Sequence, residues 1–586
     1  MKEKELERIA DSFKKEAVVP FWMWNDKLEK ETLLHQLREI KTKGMNQIII
    51  HPRFGLETEY LSEGWFEAIS WVLKEAEKQE MGIWIYDELN WPSGYAAGKV
   101  IKKNPEFQAM NLVMNNGSFE KRKSNWKPAY FDGYYIDVLN PKAVRAFIEE
   151  VYEQYWQRFN KYFGKTILGF FTDEPGIYNN FSGVDPGSIP WTEQLPSFFQ
   201  KLNGYPLEEK LGLIWEENGH PTIETRIDFW KTISFLYQES YFKQLQSWCH
   251  QHGVLFIGHV LGEESLVETA KTQGDFFSAM EFLDFAGYDL LNSLTPKAII
   301  AAKLAQSASK YFDLYGVCAE TFGIFGWDLT KEQMRKVAKW QVEMGLDVLI
   351  PHALYYSLRG SRYDDCPPSL MADKYWEDFE KFVSFTRDLT SKKKGETPKP
   401  KIAIYYPIES IWGYLNPNNC SKAEFIDLVF RTASFTVYNT EFHFDYIDRN
   451  VVTKKGISYK YLILPETEIL PVEVLEAISN FISNGGQVIV FGNPPKLATK
   501  EEEQSSFSRI YNNISDNFKC LPLPKNLNRI SFSAKSTQEA KAFLNIHLPP
   551  IWLARAVRIA KLLGYRKTFS LKLETGMEEE LKNIIY

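Results

Sequence analysis

Eight short apolar runs, nearly free of polar residues until their last positions, constrain this 586-residue chain more than any other feature. They are VVPFWMWN (18–25), QIIIHP (47–52), GIWIYDE (82–88), ILGFFTDE (167–174), VLFIGH (254–259), FLDFAGYD (282–289), YGVCAE (315–320) and DVLIPH (347–352). Continuous runs rich in Val, Ile, Phe and Tyr read as parallel strands buried on both faces. Amphipathic helical patterns lie between them. Residues 29–43 put Leu33, Leu34, Leu37 and Ile40 on one face before Gly44, and 62–79 start on Ser62, a good N-cap. Five of the seven spacings between strand starts fall between 28 and 35 residues, and the other two are 85 and 87. One β–α unit takes about 30 residues. The pattern predicts an α/β fold: a (β/α)8 TIM-type barrel over 1–390, with insertions after strands 3 and 4. The active site of such a barrel lies at the carboxyl ends of its strands.

A basic, Pro-containing linker follows at 391–400, then a smaller α/β, Rossmann-like domain over 401–500. Residues 501–586 carry weak signals, with one amphipathic pattern at 549–566, and are expected to form a C-terminal segment of unclear fold. The net charge is −7 without a basic stripe, so nucleic acid is not an expected partner. No apolar run reaches the length of a membrane span, and the charged N-terminus has no secretory h-region. Five scattered cysteines without C-x-x-C spacing suit reduced thiols and argue against a Cys-based zinc site. A cytoplasmic protein is expected.

The chemistry sits where runs end. Asp87-Glu88 ends the third, Asp173-Glu174 the fourth and Glu320 the seventh. Glycoside hydrolysis needs two carboxyl groups flanking one bond, one to protonate the leaving oxygen and one to activate water or attack the sugar. Glu174 and Glu320, from strands four and seven, face each other across a barrel mouth and are the candidate catalytic pair. The plainer alternatives are a helix cap for Glu174 and an Arg partner for Glu320. Asp87, Glu88 and Trp91, in YDELNWPSG, are candidates for hydroxyl binding and sugar stacking, or else for a network that fixes their loop. His51, His259 and His352 end strands two, five and eight and can touch substrate. With the carboxylates they could also hold a metal, although no local ligand motif marks one and its ligands are left unassigned. Asp173, Trp327, Tyr355 and Arg359 complete the candidate substrate site. Trp22 and Trp24, on strand one, suit barrel packing. Aromatics make up 15% of the chain, which fits a carbohydrate site at such a rim.

Read together, PFWMWN, IIIHPRFGLETEYLSEGWF, IWIYDELNWPSGYAAG, GFFTDEPG, GHVLGEE, AETFG followed by GWDLT, and PHALYYSLRG resemble the barrel of the alpha-L-rhamnosidase group related to glycoside hydrolase family 106. The resemblance covers about residues 17–390, and the smaller domain is similar to the one that follows the barrel in that group. It implies an inverting, exo-acting alpha-L-rhamnosidase with Glu174 as general acid and Glu320 as general base. It also implies calcium at the sugar site, with no ligand assigned; the residues themselves require no cofactor. The group's C-terminal β-sandwich domains find no counterpart in this sequence, so a shortened homologue or a truncated reading frame is expected. Two other readings stay open: a retaining glycosidase of the beta-galactosidase type, whose small α/β domain serves oligomerisation, and a non-catalytic carbohydrate-binding barrel.

Overall fold

In a computed structural model of the chain, the described residues are 2–128, 131, 133–179, 185–291, 296–359, 367–393, 399–440, 442–521, 523 and 577–585. Eight parallel strands form: β1 (Phe21–Trp24), β2 (Gln47–Pro52), β3 (Gly82–Tyr86), β4 (Ile167–Asp173), β5 (Leu255–His259), β6 (Phe285–Leu290), β7 (Gly316–Thr321) and β8 (Val348–Pro351). β1 to β5 pair in chain order in one sheet, and β6 to β8 in another. The two sheets meet at both edges. On one side Val19 N donates to Leu349 O at 2.9 Å and Leu349 N to Ala17 O at 2.8 Å. On the other, Asp284 N donates to Phe256 O at 2.9 Å. The strands therefore follow one another around a ring, joined by helices.

Period-two geometry sends alternate side chains to opposite faces of each strand. Trp22 and Trp24, two residues apart, share the outer face, where Trp24 meets Trp65 at 5.1 Å and Trp22 donates to Gln36. Their neighbours Phe21 and Met23 enter the ring's interior with Ile49, Trp84, Phe171, Ile257, Cys318 and Ile350. The connecting helices obey the sequence signals. Leu33, Leu34, Leu37 and Ile40 are buried in the helix Lys30–Thr42, and Ser62 accepts from Trp65 N at the start of Glu63–Lys78.

The helix Lys2–Glu16 plugs the interior at the amino ends of the strands. Its Leu6, Ile9, Ala10 and Phe13 join the interior cluster, with Phe13 4.5 Å from Trp84 and 5.0 Å from Phe285. Ser12 Oγ accepts from Gln47 at the first position of β2.

The long segments between β3 and β4 and between β4 and β5 share structure. The hairpin Met110–Asn115 and Ser118–Lys123 belongs to the first, and Ser188–Trp191 of the second pairs antiparallel with it. A second parallel sheet is built from β9 (Ile402–Tyr405), β10 (Phe444–Ile447), β11 (Tyr461–Pro465), β12 (Gln487–Phe491) and β13 (Phe518–Leu521), in spatial order β10-β9-β11-β12-β13. β13 lies past residue 500 and forms one edge of this sheet. The pattern at 549–566 lies outside the described residues. Among the described residues no helix is long and apolar enough to cross a membrane.

Candidate active site

Parity builds the site. The interior positions of the ring are Ile49, Trp84, Phe171, Ile257, Cys318 and Ile350, and adding two to each gives His51, Tyr86, Asp173, His259, Glu320 and His352. All six sit at or just past the carboxyl ends of β2, β3, β4, β5, β7 and β8, and form one layer above the apolar interior. Every one is 5% exposed or less. Burying so many polar groups is costly unless they pair with one another, and most of their polar atoms do. Tyr86 OH donates to Asp173 Oδ2 at 2.5 Å. His259 Nε2 lies 3.4 Å from Asp173 Oδ1 and 3.0 Å from Glu320 Oε2. His352 Nδ1 lies 2.7 Å from Glu320 Oε1. His51 stacks on the Tyr86 ring at 3.5 Å.

The chain Tyr86–Asp173–His259–Glu320–His352 fixes the charge of its members. Burial alone would push Glu320 up. The hydrogen bonds from His259 and His352 overcome it and hold this carboxyl well below the usual carboxylate range. Burial alone would push His259 down. Its bond to Glu320 and the charges of Asp173 and Asp289 reverse that and hold the imidazole well above its usual value. Asp173 is pushed up to about 6 by burial and by the Glu320 charge, against the pull of His259.

Glu174 sits beside this layer under different rules. Its φ of 44° is left-handed, so the chain turns sharply after β4 and the carboxyl leaves the parity of the strand. Its N–H donates to His259 O at 3.1 Å, and its carbonyl accepts from Tyr178 OH at 2.6 Å. The carboxyl is met by the indole N–H of Trp91, which donates to Oε2. An aromatic wall surrounds this contact. Trp126 and Tyr178 stack at 4.0 Å, and Trp91 stands edge-on to them at 6.2 Å and 5.7 Å. Burial pushes the Glu174 carboxyl well above the usual range; His259 opposes this, and the charges of Asp173, Glu263 and Glu320 add to it.

The expected site residues divide. Glu174, Glu320, Asp173, His259 and His352 converge as one group, and His51 joins their layer. Asp87 and Glu88 do not reach the mouth. Asp87 keeps the parity of Ile83 and Ile85, so it faces the outer helices, where Tyr152 OH donates to it at 2.7 Å and Ser93 Oγ at 2.5 Å. Glu88 is 0% exposed and accepts five backbone N–H groups, from Leu89, Gly94, Tyr95, Ala96 and Ala97. For this pair the structure shows the loop-fixing network. Trp91 likewise gives its N–H to Glu174 and packs its edges against the aromatic wall. Trp327 belongs to the loop after β7, its carbonyl accepting from Tyr375 OH at 3.4 Å. Tyr355 is 3% exposed and packs into the ring's interior cluster, and Arg359, exposed, pairs with Asp26 at 3.2 Å.

Sequence reasoning missed Tyr86, Asp289, Glu263 and the wall residues Trp126 and Tyr178. Parity could have found the first two, since Asp289 is four past the interior Phe285. Asp289 N donates to Glu263 Oε1 at 2.9 Å, and burial pushes the Glu263 carboxyl up to about 8. The wall comes from the insertions and carries no local signal.

Among the described residues, Asp173, His259 and Glu320 are the group of His, Cys, Asp or Glu side chains that converges closely enough to hold a metal. It does not fit calcium, which takes six to eight oxygens. One of its three donors is nitrogen, and the other carboxylate oxygens are engaged by Tyr86 and His352. A metal-bound imidazole also donates its second ring nitrogen to a partner, whereas His259 Nδ1 is buried without one among the described residues. A shared imidazole proton accounts for the convergence.

No protein-family model matches the chain. A putative beta-glucuronidase of Formosa agariphila is 22% identical over 406 residues, which are 67% of this chain and 32% of that protein. The chain thus spans about a third of the length of this curated relative. Among solved structures, a rhamnosidase from Novosphingobium sp. PP1Y superposes with a TM-score of 0.59 at 11% identity, over 86% of this chain and 72% of that one. The GH42 beta-galactosidase Gan42B of G. stearothermophilus superposes with a TM-score of 0.60 at 12% identity, over 82% and 72%. At these identities the likeness is one of fold: an α/β architecture of parallel strands that glycosidases use.

Proposed function

We propose that this chain is a glycoside hydrolase whose ring of eight strands is a (β/α)8 barrel, with Glu174 as general acid and Glu320 as general base. One observation carries the reading. A half-buried carboxyl just past strand four and a buried one on strand seven lie near enough to act on each other's charge, and their surroundings push them apart, Glu174 towards the protonated form and Glu320 towards the ionised one. Titratable pairs split in this way identify an acid and a base. Glu174 passes its proton to the glycosidic oxygen as the bond to C1 breaks. Glu320, held by His259 and His352, takes a proton from the water that adds to C1. The sugar proposed first is alpha-L-rhamnose, from the sequence resemblance and in keeping with the rhamnosidase fold.

The similarity to a GH42 beta-galactosidase favours a second reading, in which Glu320 attacks C1 itself and configuration is retained. A panel of nitrophenyl glycosides that includes the alpha-L-rhamnoside, beta-galactoside and beta-glucuronide tests the class and the sugar. Glu174→Gln and Glu320→Gln should each lower kcat by about 10²–10⁴-fold with the fold intact. Near-full activity in either variant overturns the assignment. NMR of the first-formed anomer separates inversion from retention.

A further inference from the structure

The loop after β3 is built with unusual rigidity for a segment that would only contact sugar. Glu88 gathers five of its amides. Asn90 N donates to Pro52 O at 3.1 Å, and Asn90 O lies 3.1 Å from Tyr86 OH. Ser93 ties the loop to the end of β4 twice: its N–H donates to Asp173 O at 2.8 Å, and its Oγ accepts from Asp173 N at 2.8 Å. Between these anchors stands Trp91. The loop is therefore locked to the residue preceding Glu174, and it delivers one indole N–H to one carboxyl oxygen. Trp126 and Tyr178 stand edge-on against the indole and oppose its rotation away.

A carboxylic acid that donates its proton needs that proton on a defined oxygen. An N–H donor favours the oxygen that lacks the proton, because the carbonyl oxygen is the stronger acceptor and the O–H side presents a hydrogen. We propose that Trp91 is a positioning residue for proton donation: its indole N–H holds Oε2 of Glu174, so that Oε1 carries the proton to the leaving-group oxygen. This rests on Glu174 being the general acid. In the step itself the Glu174 O–H bond breaks, the proton joins the glycosidic oxygen, and the electron pair of the C1–O bond leaves with that oxygen. Glu174 remains as a carboxylate, which Trp91 still holds.

The test exploits the leaving group. A dinitrophenolate departs without protonation, whereas an alkoxide does not. For the sugar that the wild type cleaves, kcat and KM are measured on the dinitrophenyl, nitrophenyl and methyl glycosides, with wild type, Trp91→Phe and Glu174→Gln. Trp91→Phe should stay within about twofold of wild-type kcat on the dinitrophenyl glycoside and fall about tenfold to a hundredfold on the methyl glycoside, a fraction of what a general acid supplies. KM should change little. Glu174→Gln should show the same dependence more steeply. Benzothienylalanine at position 91 keeps the ring's size and removes only the N–H, so it should reproduce Trp91→Phe if the packing of Phe is not the cause. An equal loss on all three substrates in both position-91 variants, with Glu174→Gln still leaving-group dependent, overturns the role of Trp91 alone. A leaving-group-independent loss in Glu174→Gln overturns the acid assignment beneath it.

Discussion

Glu174 and Glu320 carry the same functional group into opposite surroundings, and the pH profile should show it. Glu320 is held below the usual carboxylate range by two imidazoles, so it is ionised from acid pH upward. Glu174 is pushed well above that range, so it stays protonated as pH rises. In the proposed mechanism activity needs Glu320 ionised and Glu174 protonated. kcat/KM should therefore rise as Glu320 loses its proton, fall as Glu174 loses its own, and trace a bell. A profile that keeps rising into alkali would remove Glu174 as the acid. The residues nearby differ in how legible they were. His51, Asp173, His259, Glu320 and His352 could be read because each is a polar residue ending an apolar strand, and strand parity is a local rule. Asp87 and Glu88 satisfy the same description yet bond into the loop and outer helices, because one has the opposite parity and the other lies beyond the strand, where local pattern gives no direction. Glu88 answers a structural need instead: Asn90, Ala96 and Ala97 hold left-handed φ of 62°, 51° and 50°, and its carboxylate ties the loop that contains them. Glu88→Gln puts an NH2 group opposite at least two of the five N–H donors. At about 1–3 kcal/mol for each unsatisfied group, it should cost about 2–5 kcal/mol in urea unfolding. A loss below about 1 kcal/mol would show the amides are satisfied without the second oxygen.

At the scale of elements, legibility followed burial. The ring strands are covered on both faces, so their sequences are continuous apolar runs, and all eight were placed. The hairpin of the first insertion was not. Its strand Ser118–Lys123 is exposed along its whole length, so neither a run nor a clean alternation marks it. The helix Lys2–Glu16 shows a different failure. Leu6, Ile9, Ala10 and Phe13 follow the i, i+3, i+4, i+7 spacing of an amphipathic helix, but dense surrounding charge hid that stripe from a reading concerned with targeting signals. The stripe closes the lower end of the ring, and Phe13 is its deepest member, 0% exposed against Trp84 and Phe285. Phe13→Ala should leave a cavity there and cost about 3–5 kcal/mol, read as a lower urea midpoint at unchanged slope. Because the plug lies at the end of the ring opposite Glu174, kcat on any cleaved glycoside should be unchanged under folding conditions. A loss of kcat without a loss of stability would mean that the plug reaches the site.

For the whole molecule the question is whether ring and second sheet are one cooperative unit. A basic stretch between two α/β patterns suggested two bodies on a linker. The contacts describe something tighter. Arg226, on a helix of the insertion after β4, is 1% exposed and donates to Ile214 O at 2.9 Å and to Gly413 O, beside the second sheet, at 3.3 Å. Trp412 Nε1 donates to Gly274 O at 2.9 Å in the opposite direction. Asp427, on the helix Ser421–Asn439 that packs on the second sheet, accepts from Leu266 N at 2.8 Å and so caps a helix of the ring. Ser307 of the ring's helix Pro296–Phe312 accepts from Tyr446 N of β10 at 2.9 Å. Separating the halves exchanges each of these hydrogen bonds for one to water, at about 0.5–1.5 kcal/mol apiece, and it also exposes apolar surface, since Trp230 of one half and Tyr406 and Ile463 of the other belong to a single contiguous core. Neither half then has a reason to survive the other's unfolding. Calorimetry should show one transition whose van't Hoff and calorimetric enthalpies agree. Arg226→Ala should lower its midpoint without splitting it, because removing one of several ties weakens the joint while the shared core remains. Two resolved transitions in the wild type would make the halves independent domains and the interface a contact of convenience.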